Sequence, residues 1–82
     1  MNPQITQKVI ELVAEQIKIP VADVRPEHHF INDLNFDSLD LVEFAMEVEE
    51  EFGISVPDEQ MQKLSTVASA IEYVESAQPA AA

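Results

Sequence analysis

The sequence holds no cysteine and no tryptophan, a single glycine (Gly53), and only four basic residues, Lys8, Lys18, Arg25 and Lys63. Without cysteine, neither a disulfide framework nor a thiolate–metal cage can hold the fold, and the composition suits a reducing cytoplasm. One glycine cannot build a glycine-rich phosphate loop. The acidic stretch "DLNFDSLDLVEF", residues 33–44, also lacks the central glycine of a calcium-binding loop. No apolar run is long enough to cross a bilayer, and the first residues lack the basic start and apolar run of a signal peptide. The expectation is a soluble, cytoplasmic monomer with no membrane insertion. Nucleophilic catalysis needs a base beside the nucleophile. The only histidines, His28 and His29, are neighbours in a proline-interrupted segment with no metalloprotease spacing, and read as solvated loop residues. Neither an enzyme nor a metal site is expected.

What the sequence does have is apolar content and acid. Hydrophobic residues make up 46% of the 82 residues, enough to bury a modest core and too many for a disordered acidic tail. Sixteen acidic residues against four basic ones give a net charge of −12. Such a surface repels nucleic acid and anionic membranes, and steers toward basic protein partners.

Asn2-Pro3 is a helix start, a capping residue followed by proline in the first turn. Ile5, Val9, Leu12, Val13 and Ile17 follow at helical spacing, so a first helix is predicted over residues 3–17. Pro20 and Pro26 interrupt residues 18–36, a long connection pinned to the core by Val24, Phe30 and Leu34. A second helix starts at Asp37 or Ser38 and runs to Phe52, with Gly53 ending it. Leu41, Phe44, Ala45, Val48 and Phe52 form its buried stripe. Leu39, Val42 and Met46 lie on its other side, bordered by Glu43 and Glu50, and are predicted to be an exposed apolar docking strip. Pro57-Asp58-Glu59 opens a short helix ending near Leu64. Ser65 or Thr66 caps a last helix through Ser76, and residues 77–82 read as a mobile tail. The predicted fold is all-α, a four-helix bundle with a short third helix and a long first loop, formed by residues 1–76.

Ser38 sits at the junction of that loop and the second helix, with Asp37 as its cap. A phosphodiester there would lie near unpaired backbone N–H groups, although Asp37 and Asp40 oppose added negative charge. Taken alone, Asp-Ser-Leu at a helix start means only capping.

Its context says more. "DLNFDSLDLVEFAMEVEEEFGISVPD" resembles the second-helix region of type II acyl carrier proteins, "VIELVAEQIKI" their first helix, and "VPDEQMQKLSTVASAIEYV" their third and fourth. The resemblance spans nearly the whole chain. It implies that Ser38 is the attachment point for 4′-phosphopantetheine, donated from coenzyme A by a phosphopantetheinyl transferase. It also implies that Asp37 matches the aspartate associated with that transfer and its metal. Asp40, Glu43, Glu49 and Glu50 match positions that meet basic patches on fatty-acid-synthesis enzymes of ketosynthase, reductase, dehydratase and acyltransferase types. Leu39, Val42 and Met46 match the family's apolar partner contacts. Phe44, Ala45, Val48, Ile54 and Ile71 match candidates for lining an acyl-chain pocket inside the bundle. Two residues depart from the family. Asn35 stands where glycine is usual, and asparagine is the least costly replacement if φ is positive there. Phe36 stands where a small or aliphatic residue is usual, and is expected to contact partners or cover the pocket entrance, narrowing the carrier to one pathway. A carrier of polyketide or aminoacyl groups, or an unmodified acidic adaptor, remain the alternatives.

Overall fold

The computed structural model describes residues 2–77. Their helices are α1 (Pro3–Ile17), α2 (Ser38–Phe52), α3 (Asp58–Lys63) and α4 (Val67–Ala77), with no strand among them. This is the expected four-helix arrangement with a short third member. Helix α4 continues one residue beyond its expected end, and residues 78–82 of the expected mobile tail lie outside the described residues.

Helix α1 begins where Asn2-Pro3 predicts. The Asn2 side-chain oxygen accepts from the Gln4 and Ile5 N–H groups at 2.9 and 3.3 Å, satisfying two of the three orphan donors left in the first turn, where Pro3 has no N–H. The helix ends at Lys18, whose φ of 59° lets its N–H return to the Ala14 carbonyl. Gln16, near the end of α1, reaches Asp40 and Glu43 in α2, while Lys8 lies 3.6 Å from Glu51 at the far end of α2. The two helices are therefore antiparallel. The Asn2 N–H in turn donates to the Glu75 carboxylate, setting the start of α1 beside the end of α4.

The long connection is ordered by its backbone. After a 3₁₀ turn over Val21–Asp23, the carbonyls of Pro26 and His28 accept from the Ala68 and Val67 N–H groups at 2.8 and 3.0 Å. The loop thus supplies acceptors for the orphan donors of α4, which is itself capped by reciprocal Thr66–Ser69 bonds. An isolated antiparallel bridge between His29 and Thr66 completes the seam. The Phe36 N–H then donates to the Phe30 carbonyl at 2.8 Å, folding the loop back on itself just before α2.

That return brings three rings together. Phe30 and Phe36 are 5.1 Å apart between centroids, and Phe44 of α2 lies 5.4 and 6.0 Å from them. Each such pair adds about 0.5–1.5 kcal/mol beyond the area it buries. Val24, Phe30 and Leu34 are buried as expected. Phe36 overturns its expectation: only 2% exposed, it is core packing beneath the start of α2 and presents no ring to a partner. The aromatic fits there because it packs against both of its cluster-mates. Phe36→Ala is expected to cost about 3–5 kcal/mol, read as a lower urea midpoint with an unchanged slope. A loss under 1 kcal/mol would return the ring to the surface role.

Candidate functional site

Asp37 and Ser38 open α2 through a closed pair of hydrogen bonds. The Asp37 carboxylate accepts from the Asp40 N–H at 2.8 Å, and the Asp40 carboxylate accepts from the Asp37 N–H at 3.1 Å. This is a capping box in which aspartate replaces the usual Glu or Gln. Between the two donors it satisfies, the Ser38 and Leu39 N–H groups have no acceptor among the described residues. Ser38 is exposed, and its hydroxyl makes no hydrogen bond within the described residues. Asn35, with φ at 59°, makes the left-handed turn that brings the loop into this cap. Ser38 therefore offers a free hydroxyl at a fixed point on the positive end of a helix, a geometry that accommodates a phosphodiester.

Asp40 is the electrostatic keystone of this end. Its carboxyl is held below the ordinary value of 3.8, first by the Asp37 backbone N–H. Partial burial opposes that shift, and the hydrogen bond donated by the Gln16 side-chain amide reinforces it. The Gln16 amide spans both Asp40, at 3.3 Å, and Glu43, at 2.7 Å, orienting two carboxylates from the neighbouring helix. Gln16 lies outside the apolar set of α1, so nothing in the sequence pattern marked it.

Along α2, Leu39, Val42 and Met46 are 63%, 42% and 57% exposed, matching the predicted strip, while Phe44 and Val48 on the other side are buried. Glu43, Glu47 and Glu50 are exposed around it, Glu47 being an acid that the sequence reading passed over. None of the four basic residues lies on α2. Glu49 departs from its expected place on the partner surface. Half-buried, it accepts from the Val56 N–H at 2.7 Å and braces the α2–α3 connection.

Beside Ser38 a cleft of about 130 Å³ opens between α2 and α3, lined by Leu41, Val42, Asp58, Met61 and Gln62. Of the expected pocket residues, Phe44 and Val48 line a narrow interior seam of about 10 Å³, together with Met61, Leu64 and Val74. Ala45, Ile54 and Ile71 do not line it. Ala45 and Ile71 are consumed by core packing, and Ile54 packs half-exposed against its edge. Met61 and Leu64 were missed because a six-residue helix gives too short a stretch to read periodicity. Among the described residues no group of three or more His, Asp or Glu side chains could hold a metal ion, and no helix is long and apolar enough to cross a membrane.

A carboxyl with a lowered folded-state pKa contributes stability that is complete above its unfolded value and disappears as pH falls through the folded one. The wild type should therefore lose stability as pH drops below about 3.8. Asp40→Asn is expected to start less stable at neutral pH and to lose less on acidification, followed by helical circular dichroism in urea. An acid limb as steep as the wild type's would remove Asp40 from this role.

The fold matches the solution structure of the apo doublet acyl carrier protein from prodigiosin biosynthesis, with a TM-score of 0.81 and 24% identity. That match covers 92% of this chain, which spans 36% of the doublet's length. The family described as phosphopantetheine attachment site matches residues 7–74, most of the sequence and all of the geometry around Ser38. Such domains hold 4′-phosphopantetheine covalently and work with a phosphopantetheinyl transferase and biosynthetic enzymes. The chain accordingly belongs to the phosphopantetheine-attachment family, a family of carrier domains, and has the fold of an acyl carrier protein.

Proposed function

We propose that Ser38 is the attachment point of the phosphopantetheine arm, and that the chain presents acyl thioesters to enzymes of fatty-acid-synthesis type in a general or specialised pathway. The carrying observation is the exposed, unbonded Ser38 hydroxyl at the start of α2, on the lip of an apolar cleft. When bound, the arm supplies a terminal thiol on which acyl groups ride as thioesters. The chain's own residues do the rest. The free Ser38 and Leu39 N–H groups and the positive helix end offset the charge of the phosphodiester, which Asp37 and Asp40 oppose. The cap holds both carboxylates in bonds to backbone donors, which moderates that opposition.

Recognition rests on α2. Leu39, Val42 and Met46 give an apolar strip, with Asp40, Glu43, Glu47 and Glu50 around it for basic patches on the transferase and on the enzymes that use the cargo. Exposed charge pairs are individually weak, so such complexes form fast and release readily. That suits a carrier that visits several enzymes in turn. The protein acts as a monomer in this reading.

Intact mass after incubation with coenzyme A and a phosphopantetheinyl transferase should rise by one phosphopantetheine, and Ser38→Ala should not change. No gain, under conditions that modify a control carrier, would leave the acidic-adaptor reading in its place. Binding to a partner enzyme should weaken with added salt, and Glu47→Lys or Glu50→Lys should each weaken it a few-fold. Salt-insensitive binding would contradict a charge-steered surface. Turnover by fatty-acid-synthesis enzymes, set against enzymes that load amino acids or build polyketides, would separate the cargo classes.

A further inference from the structure

Met61 lines each of three neighbouring spaces. It walls the cleft beside Ser38, the interior seam between α2 and α4, and a groove of about 210 Å³ that runs past Ile31 toward Ser65. Leu41 and Gln62 are common to the cleft and the groove, so those two form a continuous outer track that starts at Ser38. The seam differs. Its free volume of about 10 Å³ is no more than a single water needs, whereas a cavity of ~150 Å³ takes a six-carbon ring. Met61, 4% exposed, borders both the outer track and this seam, and the half-buried Leu64 borders the groove and the seam.

The walls of the seam are unequal. Phe44 is backed by Phe30 and Phe36, so that side cannot give without breaking the aromatic cluster. Met61 is unbranched and adaptable, on a six-residue helix whose N-terminus has no side-chain cap. Met61 touches all three spaces, and it is more adaptable than Leu64, which borders the groove and the seam.

We propose that Met61 is a plug that keeps cargo out of the bundle. An apolar acyl chain carried at Ser38 lies in the outer cleft, which takes a group of about six carbons, and longer chains continue along the groove toward Ile31. Gln62, Asn32 and Ser65 line that groove beside Ile31 and Leu64 and give it hydrogen-bonding groups, so it also accepts chains that bear polar substituents. This cargo geometry rests on Ser38 being the attachment point.

The test needs no transferase. Ser38→Cys gives the chain its only cysteine, which alkyl methanethiosulfonates of four to twelve carbons convert to mixed disulfides. Backbone amide shifts then report where each chain lies. With Met61 present, the twelve-carbon adduct should shift Leu41, Gln62 and Ile31 and leave Val48, Ala70 and Val74 unmoved. Adding Met61→Ala, or the milder Met61→Val, should transfer the shifts to those three interior residues. Interior shifts with Met61 in place would overturn the proposal, as would interior residues that stay silent in both Met61 variants. A Ser38 that the transferase leaves unmodified would remove the carrier reading without touching this result.

Discussion

The contact among Phe30, Phe36 and Phe44 fixes where everything else near Ser38 can be. Two of the rings come from the loop and one from α2, so their packing docks a twenty-residue connection onto the helix it precedes. Without that dock the left-handed turn at Asn35 would have no reason to point the chain into the Asp37 cap. The loop's backbone is held independently at the other side, through the Pro26 and His28 carbonyls on α4. The Ser38 hydroxyl thus stands on a segment clamped from two directions, although the segment has little regular structure of its own.

The charge on α2 follows a different logic from its packing. Glu49, Glu50 and Glu51 crowd the negative end of the helix, where the macrodipole disfavours acids and the last turn of α2 holds no basic residue of its own. Local preference and helix electrostatics disagree there, and such disagreement marks residues kept for something other than stability. Glu49 and Glu51 are partly reconciled through Val56 and Lys8. Glu43 is held by Gln16. Glu47 and Glu50 have no partner within the described residues, and are the acids most available to another protein.

Much of this was legible in the sequence because its signals are periodic or local. The two stripes of α2 follow from 100° per residue, and the caps at Asn2, Asp37 and Gly53 from residue type. Buried anchors in the loop, Val24, Phe30 and Leu34, stood out as lone apolar residues among polar ones. The misreadings share one cause. Phe36 reads as a surface residue because it departs from the family's small or aliphatic residue, and Glu49 because it matches a surface pattern. Each side chain's direction depends on a partner far away in sequence: Phe30 and Phe44 for one, the Val56 N–H for the other. Phe44 and Val48 of the interior seam were legible, but its Met61 wall was not, because that residue comes from a helix too short to show a face. The end of α1 at Lys18 carries no glycine or asparagine, so only its spacing located it.

One contact made at the edge of the bundle has a consequence for how the domain can be wired. The Asn2 N–H bonds to Glu75, and α1 then runs about 22 Å before Gln16 meets the start of α2. The first and last described turns therefore share one pole, and Ser38 occupies the other. Polypeptide joined before or after these residues would leave from the pole remote from Ser38. A linker at either end would therefore leave the Ser38 face of the bundle uncovered.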